Sequence, residues 1–237
     1  MGMLLFIAIA IISFAVQWRF KNKFKQYSET PLRSGMSGKD IALKMLHDNG
    51  IYDVQVLSAQ GRLSDHYNPA DRTVNLSPEV YEGRSVASAA VAAHECGHAV
   101  QHANAYSWLT LRSAVVPMVN IASRMTSIVL IIGVLMFFSS GNPLVLAIGV
   151  GALAITTMFT FITLPVEFDA SRRALAWLQL NPDVMADSVE HGGAKDALKW
   201  AAMTYVVAAL SSLEPCFITR ASYLEVVINS IKKVKLH

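Results

Sequence analysis

Charged side chains are scarce in this sequence. They make up 16% of its 237 residues, against roughly 25% in an ordinary soluble domain. Two stretches have none at all: Met1–Trp18, and the 42 residues from Met125 to Val166. Hydrophobic residues reach 53%, which excludes intrinsic disorder and speaks against a wholly soluble protein. Cysteine is almost missing. Cys96 and Cys216 are the only two, too few for a disulfide framework and in keeping with a reducing compartment. Repeats of fixed period and low-complexity tracts are lacking as well. A net charge of +3 is too small to mark a nucleic-acid groove, so no nucleic-acid partner is expected.

The long charge-free run has the dimensions of a membrane passage. At a helical rise of about 1.5 Å per residue it reaches roughly 63 Å, about two crossings of a hydrocarbon core. Residues 115–138, interrupted only by Arg124 near their start, and residues 144–164 are two apolar arms, and Ser139-Ser140-Gly141-Asn142-Pro143 is the turn between them. The expected unit is a hairpin over 115–165 whose two ends return to one side of the membrane.

Met1–Trp18 is followed, not preceded, by Arg19, Lys21, Lys23 and Lys25. That order suits an uncleaved anchor over residues 1–20, not a signal peptide. The positive-inside rule then puts residue 19 onward in the cytoplasm, together with Arg172, Arg173 and the closing lysines Lys232, Lys233 and Lys235. The apolar stretch 200–213 is short for a span, and a buried or partly embedded helix is expected there. The remaining segments, 21–114 and 166–237, would be two parts of one catalytic domain.

Within 21–114, Ser37 reads as the N-cap of a helix that Asn49-Gly50 stops. Short β-type runs at 54–57 and 73–76 predict a small sheet. Ser77-Pro78 has the form of a helix start. Ser85 then opens an alanine-rich helix that runs through His102. That helix carries His94-Glu95-Cys96-Gly97-His98, an H-E-x-x-H motif. Residues four apart share a helix face, so His94 and His98 can ligate one zinc ion while Glu95 accepts a proton from water beside it. The small residues Ala92, Ala93, Gly97 and Ala99 leave room for another element to approach. Cys96 lies on the opposite side of the helix and reads as a packing residue.

A catalytic zinc site needs a third protein ligand. The extended motif with a third histidine fails, because Gln101 and Asn104 stand where its glycine and histidine belong. His102 is too far along the axis to join His94 and reads as a surface histidine or as a support for the site. Glu167 is the strongest candidate. It is the first charge after the apolar run, at an expected helix start and on the motif's side of the membrane. The alternative for it is a solvated helix-end charge.

The segments Ala93–His102 and Leu164–Ala174, with Asn75–Tyr81 and the hairpin between them, resemble the YugP-type bacterial membrane zinc metallopeptidases. More distantly they are similar to the HtpX and CAAX prenyl-protein proteases. The resemblance implies one Zn²⁺ on His94, His98 and Glu167, with Glu95 as general base. In the distant relatives an aspartate four residues after the ligand glutamate orients a histidine. Here Ser171 holds that position, and Asp169 is the nearest aspartate, so both are candidates for the orienting role. The resemblance also suggests that residues 72–76 form a strand, either an edge that pairs with an extended peptide or an ordinary core strand. For the oxyanion stabiliser, His191, Arg172, Arg173 and Tyr205 stay open.

The expected protein is thus mostly helical (α+β): an integral, multi-pass membrane zincin-like metallopeptidase of the bacterial plasma membrane. It would have an N-terminal anchor helix, a small sheet and a transmembrane helical hairpin. Its partners would be the lipid bilayer and a polypeptide substrate, itself a membrane protein. A non-enzymatic scaffold with a structural zinc site is the alternative from another class, and hydrolysis of a non-peptide amide is the other enzymatic one.

Overall fold

The structure is a computed structural model. It describes residues 2–61 and 64–234, with side chains for residue 4, residues 6–61 and residues 64–213. It is mostly helical: α1 (Gly2–Ser28), α2 (Gly38–Asp48), α3 (Pro78–Tyr81), α4 (Val86–Ala103), α5 (Ser107–Ser140), α6 (Leu144–Leu180) and α7 (Ser188–Val234). Three short strands, β1 (Gln55–Ser58), β2 (His66–Asn68) and β3 (Thr73–Leu76), complete it. The chain divides into two compact units. One comprises residues 1–13, 111–162 and 206–237, and the other residues 14–110 and 163–205.

The second unit is built around α4. Ser37 caps α2 through a reciprocal pair with Asp40, and the Ser85 hydroxyl accepts the Ser88 amide to start α4. Apolar residues of α2 (Ile41, Met45, Leu46), of β3 (Val74, Leu76) and of α6 (Leu178) form one core with the alanines of α4. A fully buried aliphatic side chain of this size contributes about 1.5–3 kcal/mol. The core therefore fixes α4 from several sides.

The sheet has the order β1-β3-β2, with β1 parallel and β2 antiparallel to β3. This corrects the edge-strand alternative for residues 72–76. β3 is the central strand, its backbone groups taken by both neighbours, and β2 was not foreseen at all. β2 is an edge, and it faces the motif helix.

The first unit holds the apolar arms. Among the described residues, α5 and α6 are the two helices long and apolar enough to cross a membrane, and only 17% and 22% of their most apolar windows are buried. Ile121, Ile128, Ile131, Leu135 and Phe138 of α5 stand exposed. So do Phe6, Ile11 and Phe14 of α1, the expected anchor. Thr157 of α6 donates to the Ser212 carbonyl of α7 at 2.9 Å. The side chains of Lys232, Lys233 and Lys235 lie outside the described residues.

One expectation is overturned along α6. Glu167 does not sit at a helix start, because α6 continues through Pro165 for 37 residues. A proline removes one backbone hydrogen bond and crowds the preceding turn, which bends a helix more often than it ends one when the flanks pack well. Val166 and Ala170 are fully buried on either side of Glu167, and that packing carries the helix through.

Candidate metal centre

Two helices build the site, and a glycine lets them meet. A Cβ added at Gly97 of α4 would stand 2.6 Å from the Ala170 carbonyl oxygen of α6. No side chain fits there, so the backbones touch, and His94, His98 and Glu167 are brought together around that point. His94 Nε2 lies 3.3 Å from Glu167 Oε2 and His98 Nε2 lies 3.6 Å from it. The two imidazole rings are edge-to-face with centroids 4.9 Å apart. Potential donor atoms of all three residues fall within 4.8 Å of one another.

This donor set fits a zinc ion. Two imidazole nitrogens and a carboxylate oxygen are an ordinary zinc complement, and tetrahedral ligands bound at about 2.1 Å stand about 3.4 Å apart. The observed 3.3 and 3.6 Å straddle that separation. Burial agrees as well: Glu167 is 3% exposed and His98 7%. A carboxylate so enclosed is costly unless a cation or strong donors face it.

The far nitrogens of both rings are held. His98 Nδ1 is 3.0 Å from Gln101 Oε1. The amide of Gln101 has no freedom to flip, since its Nε2 donates to the Val166 carbonyl at 2.8 Å and to Asp169 Oδ2 at 2.9 Å. Its oxygen must then face the ring and accept the Nδ1 proton, which leaves the Nε2 lone pair of His98 aimed at the centre. His94 Nδ1 is 3.1 Å from Ser171 Oγ, which orients the second ring. Ser171 thus contacts a motif histidine directly. Asp169 does not. It reaches His98 through Gln101, and its carboxylate is also paired with Arg172 and Arg173.

Glu95 points into the same space, and the Tyr67 amide of β2 donates to its Oε2 at 3.1 Å. Burial, reinforced by the Glu167 and Asp65 charges and opposed by His94 and that amide, pushes its pKa up to about 7. A carboxyl in that range exchanges a proton near neutrality, as a general base and acid must. A dication on the neighbouring donors would draw the value back down. A cavity of about 150 Å³ opens beside His94, Glu95, Glu167 and Ser171.

The other sequence candidates sort themselves by contact. His102 is exposed and meets the Tyr67 hydroxyl at 2.7 Å, away from the three donors. Cys96 is fully buried with its Sγ 3.5 Å from the Ala42 carbonyl, and burial pushes its thiol far up, so it packs and does not react. His191 meets the Leu175 carbonyl at 3.1 Å. Arg172 and Arg173 are bound to Asp169. Of the four oxyanion candidates, Tyr205 is the one that lines the cavity. Gln101 and the Tyr67 amide were not foreseen. A glutamine three residues beyond His98, on the motif's own helical face, is the one signal that the sequence offered, and the structure buries it completely.

A helix-borne pair of histidines, a glutamate between them and a carboxylate from a second helix define the class: zinc metallopeptidases. Residues 2–218 match the family described as "Putative neutral zinc metallopeptidase", and the chain belongs to that family. It is 39% identical over 211 residues to a Bacillus subtilis (strain 168) protein named "Putative membrane protease YugP", covering 88% of this chain and 91% of that one. No solved structure matches.

Proposed function

We propose that this chain is a membrane-embedded zinc endopeptidase of the gluzincin type, in which His94, His98 and Glu167 hold one Zn²⁺ and Glu95 is the general base and acid. The observation that carries the reading is the convergence of these three donors beside a buried carboxyl that is not one of them. Zinc, when bound, supplies the positive charge that acidifies water and polarises an amide carbonyl.

The chain's own residues do the rest. Glu95 takes a proton from the attacking water and returns it to the leaving amine. The Tyr67 amide holds one Glu95 oxygen, so the carboxyl enters the reaction already oriented. Ser171 and Gln101 keep the two imidazoles turned inward, and Asp169 fixes Gln101.

The substrate is a polypeptide, and the exposed apolar arms 115–138 and 144–164 support a membrane protein or a membrane-proximal segment. Arg19, Lys21, Lys23 and Lys25 support an active site on the cytoplasmic face of the plasma membrane. A cysteine placed beside Lys25 should resist membrane-impermeant reagents in intact cells; labelling there reverses the orientation.

The deciding experiment is Glu95→Gln. It should retain zinc and lose peptide cleavage by about 10²–10⁴-fold. Cleavage at the wild-type rate would sink the mechanism, whereas zinc binding without cleavage by either protein would favour a scaffold holding zinc structurally. Such a scaffold normally closes its site with a fourth Cys or His, and among the described residues three donors gather, not four.

A further inference from the structure

We infer that the cavity beside His94, Glu95 and Glu167 is a side-chain subsite for an aliphatic or aromatic residue flanking the scissile bond, and that Phe20 and Phe24 of α1 set its size. The inference rests on the peptidase reading above and adds to it a substrate class and two specificity-determining residues on a helix that composition marks only as an anchor.

The cavity measures about 150 Å³, and beyond His94, Glu95, Glu167 and Ser171 its walls are mostly apolar, with Phe20, Phe24, Val91, Ala197, Leu198 and Ala201 beside Asp65 and Tyr205. A volume of this size is enough for a benzene-sized guest. One leucine, methionine or phenylalanine side chain is such a guest. Three acids line the cavity: Glu167 faces the two histidines, and Asp65 and Glu95 are engaged by other donors. The Asp65 carboxylate accepts the Ser77 amide and hydroxyl, and Glu95 accepts the Tyr67 amide. The Ser77 and Tyr67 donors partly satisfy these acids, so an apolar guest meets walls, not an open charge.

The two sides of the pocket contribute differently. On α7, Ala197 and Ala201 are four residues apart, so one helix face offers space instead of bulk. On α1, Phe20 and Phe24 are also four apart, and their rings pack with centroids 5.8 Å from each other. Asp196 of α7 holds this part of α1 in place, through the Tyr27 hydroxyl at 2.8 Å and Lys23 Nζ at 3.0 Å. The same two phenylalanines also line a second cavity of about 1010 Å³. Truncating either ring removes a wall that both spaces share.

A site of this kind discriminates by about 10–200-fold for each methylene that it recognises. The test uses the full chain in detergent with zinc, and peptides that differ only as Ala, Leu, Trp or Lys at the residues flanking the cleaved bond. The wild type should favour Leu over Ala by at least about tenfold in kcat/KM at one of these positions. Ala201→Leu, which fills the pocket, should reverse that order. Phe24→Ala, which opens it, should raise the Trp peptide relative to Leu.

The same peptides are then bound to Glu95→Gln protein with and without each pocket substitution, so the ranking of Kd is read where no bond is cut. Rankings that neither variant moves, in cleavage or in binding, overturn the inference. So does a preference for Lys. Failure of the peptidase reading looks different: the Glu95→Gln protein then cleaves as fast as the wild type, whichever residue flanks the bond.

Discussion

Helices α4 and α5 are both dominated by apolar residues, yet they end in opposite surroundings. Of the 18 residues of α4, 14 are buried. In α5 only 17% of the most apolar window is. The difference lies in side-chain size. Outside its site residues α4 is mostly alanine and valine, with Ser88 and Gly97, so neighbouring backbones close on it and no partner needs to reach far. α5 presents Ile121, Ile128, Ile131, Leu135 and Phe138 outward. Small apolar residues invite protein against a helix; large exposed ones in a run of this length invite lipid. Mean hydropathy separates the two, since α5 and not α4 is apolar enough to cross a membrane, and the distribution of residue volume separates them as well.

The strongest way to break this comparison is to put a charge on the exposed face of α5. On the membrane reading, Ile131→Lys should weaken insertion of α5 by about 2.5–3.5 kcal/mol. The measurement is the share of the protein that stays with membranes after an alkaline wash. Ile131→Ala, which keeps the surface apolar, should leave that share nearly unchanged. Equal retention of the Lys and Ala variants would mean that the exposed face of α5 does not meet hydrocarbon.

A smaller effect tests the other member of the pair. Gly97→Ala adds one methyl group to α4, at a point where its Cβ would lie 2.6 Å from the Ala170 carbonyl oxygen. Overpacking of this kind costs about 1–3 kcal/mol. Because the contact is also what brings Glu167 to the histidines, zinc affinity should fall together with thermal stability. A loss of stability without any loss of zinc would show that the two helices can separate and still keep the site.

Much of this arrangement was legible in the sequence, and the rest was hidden for identifiable reasons. The Ser37 cap, the start of α4 at Ser85 and the strand at 73–76 follow from local chemistry. So does the expectation that small residues around the motif admit another helix, and Gly97 against Ala170 is that approach. What failed depends on partners far away in the chain. β2 is three residues, His66–Asn68, with no alternating pattern of its own, and it exists because β3 is there to pair with it. α6 runs through Pro165 because Val166 and Ala170 are packed, which no local rule registers. Asp169 was weighed as a direct support for a motif histidine, but its carboxylate is turned to Gln101 and two arginines. Ser171, four residues after Glu167, makes the contact with His94 itself.

The smallest expected effects separate these last two supports. Gln101→Leu removes an acceptor from His98 Nδ1 and a donor from Asp169 in a fully buried position, so zinc affinity should drop by about 10–100-fold. Ser171→Ala removes one hydroxyl from His94 Nδ1, on a residue 9% exposed and beside the cavity. Water can reach that position and replace the lost partner, as it cannot at Gln101. The affinity loss for Ser171→Ala should therefore stay below about tenfold, at the lower end of what such supports contribute. Competition with a zinc chelator measures both variants on one scale. If Ser171→Ala lost more zinc than Gln101→Leu, His94 and not His98 would be the ligand that depends most on its support. The buried Gln101–Asp169 pair would then serve the contact between α4 and α6 instead of the metal.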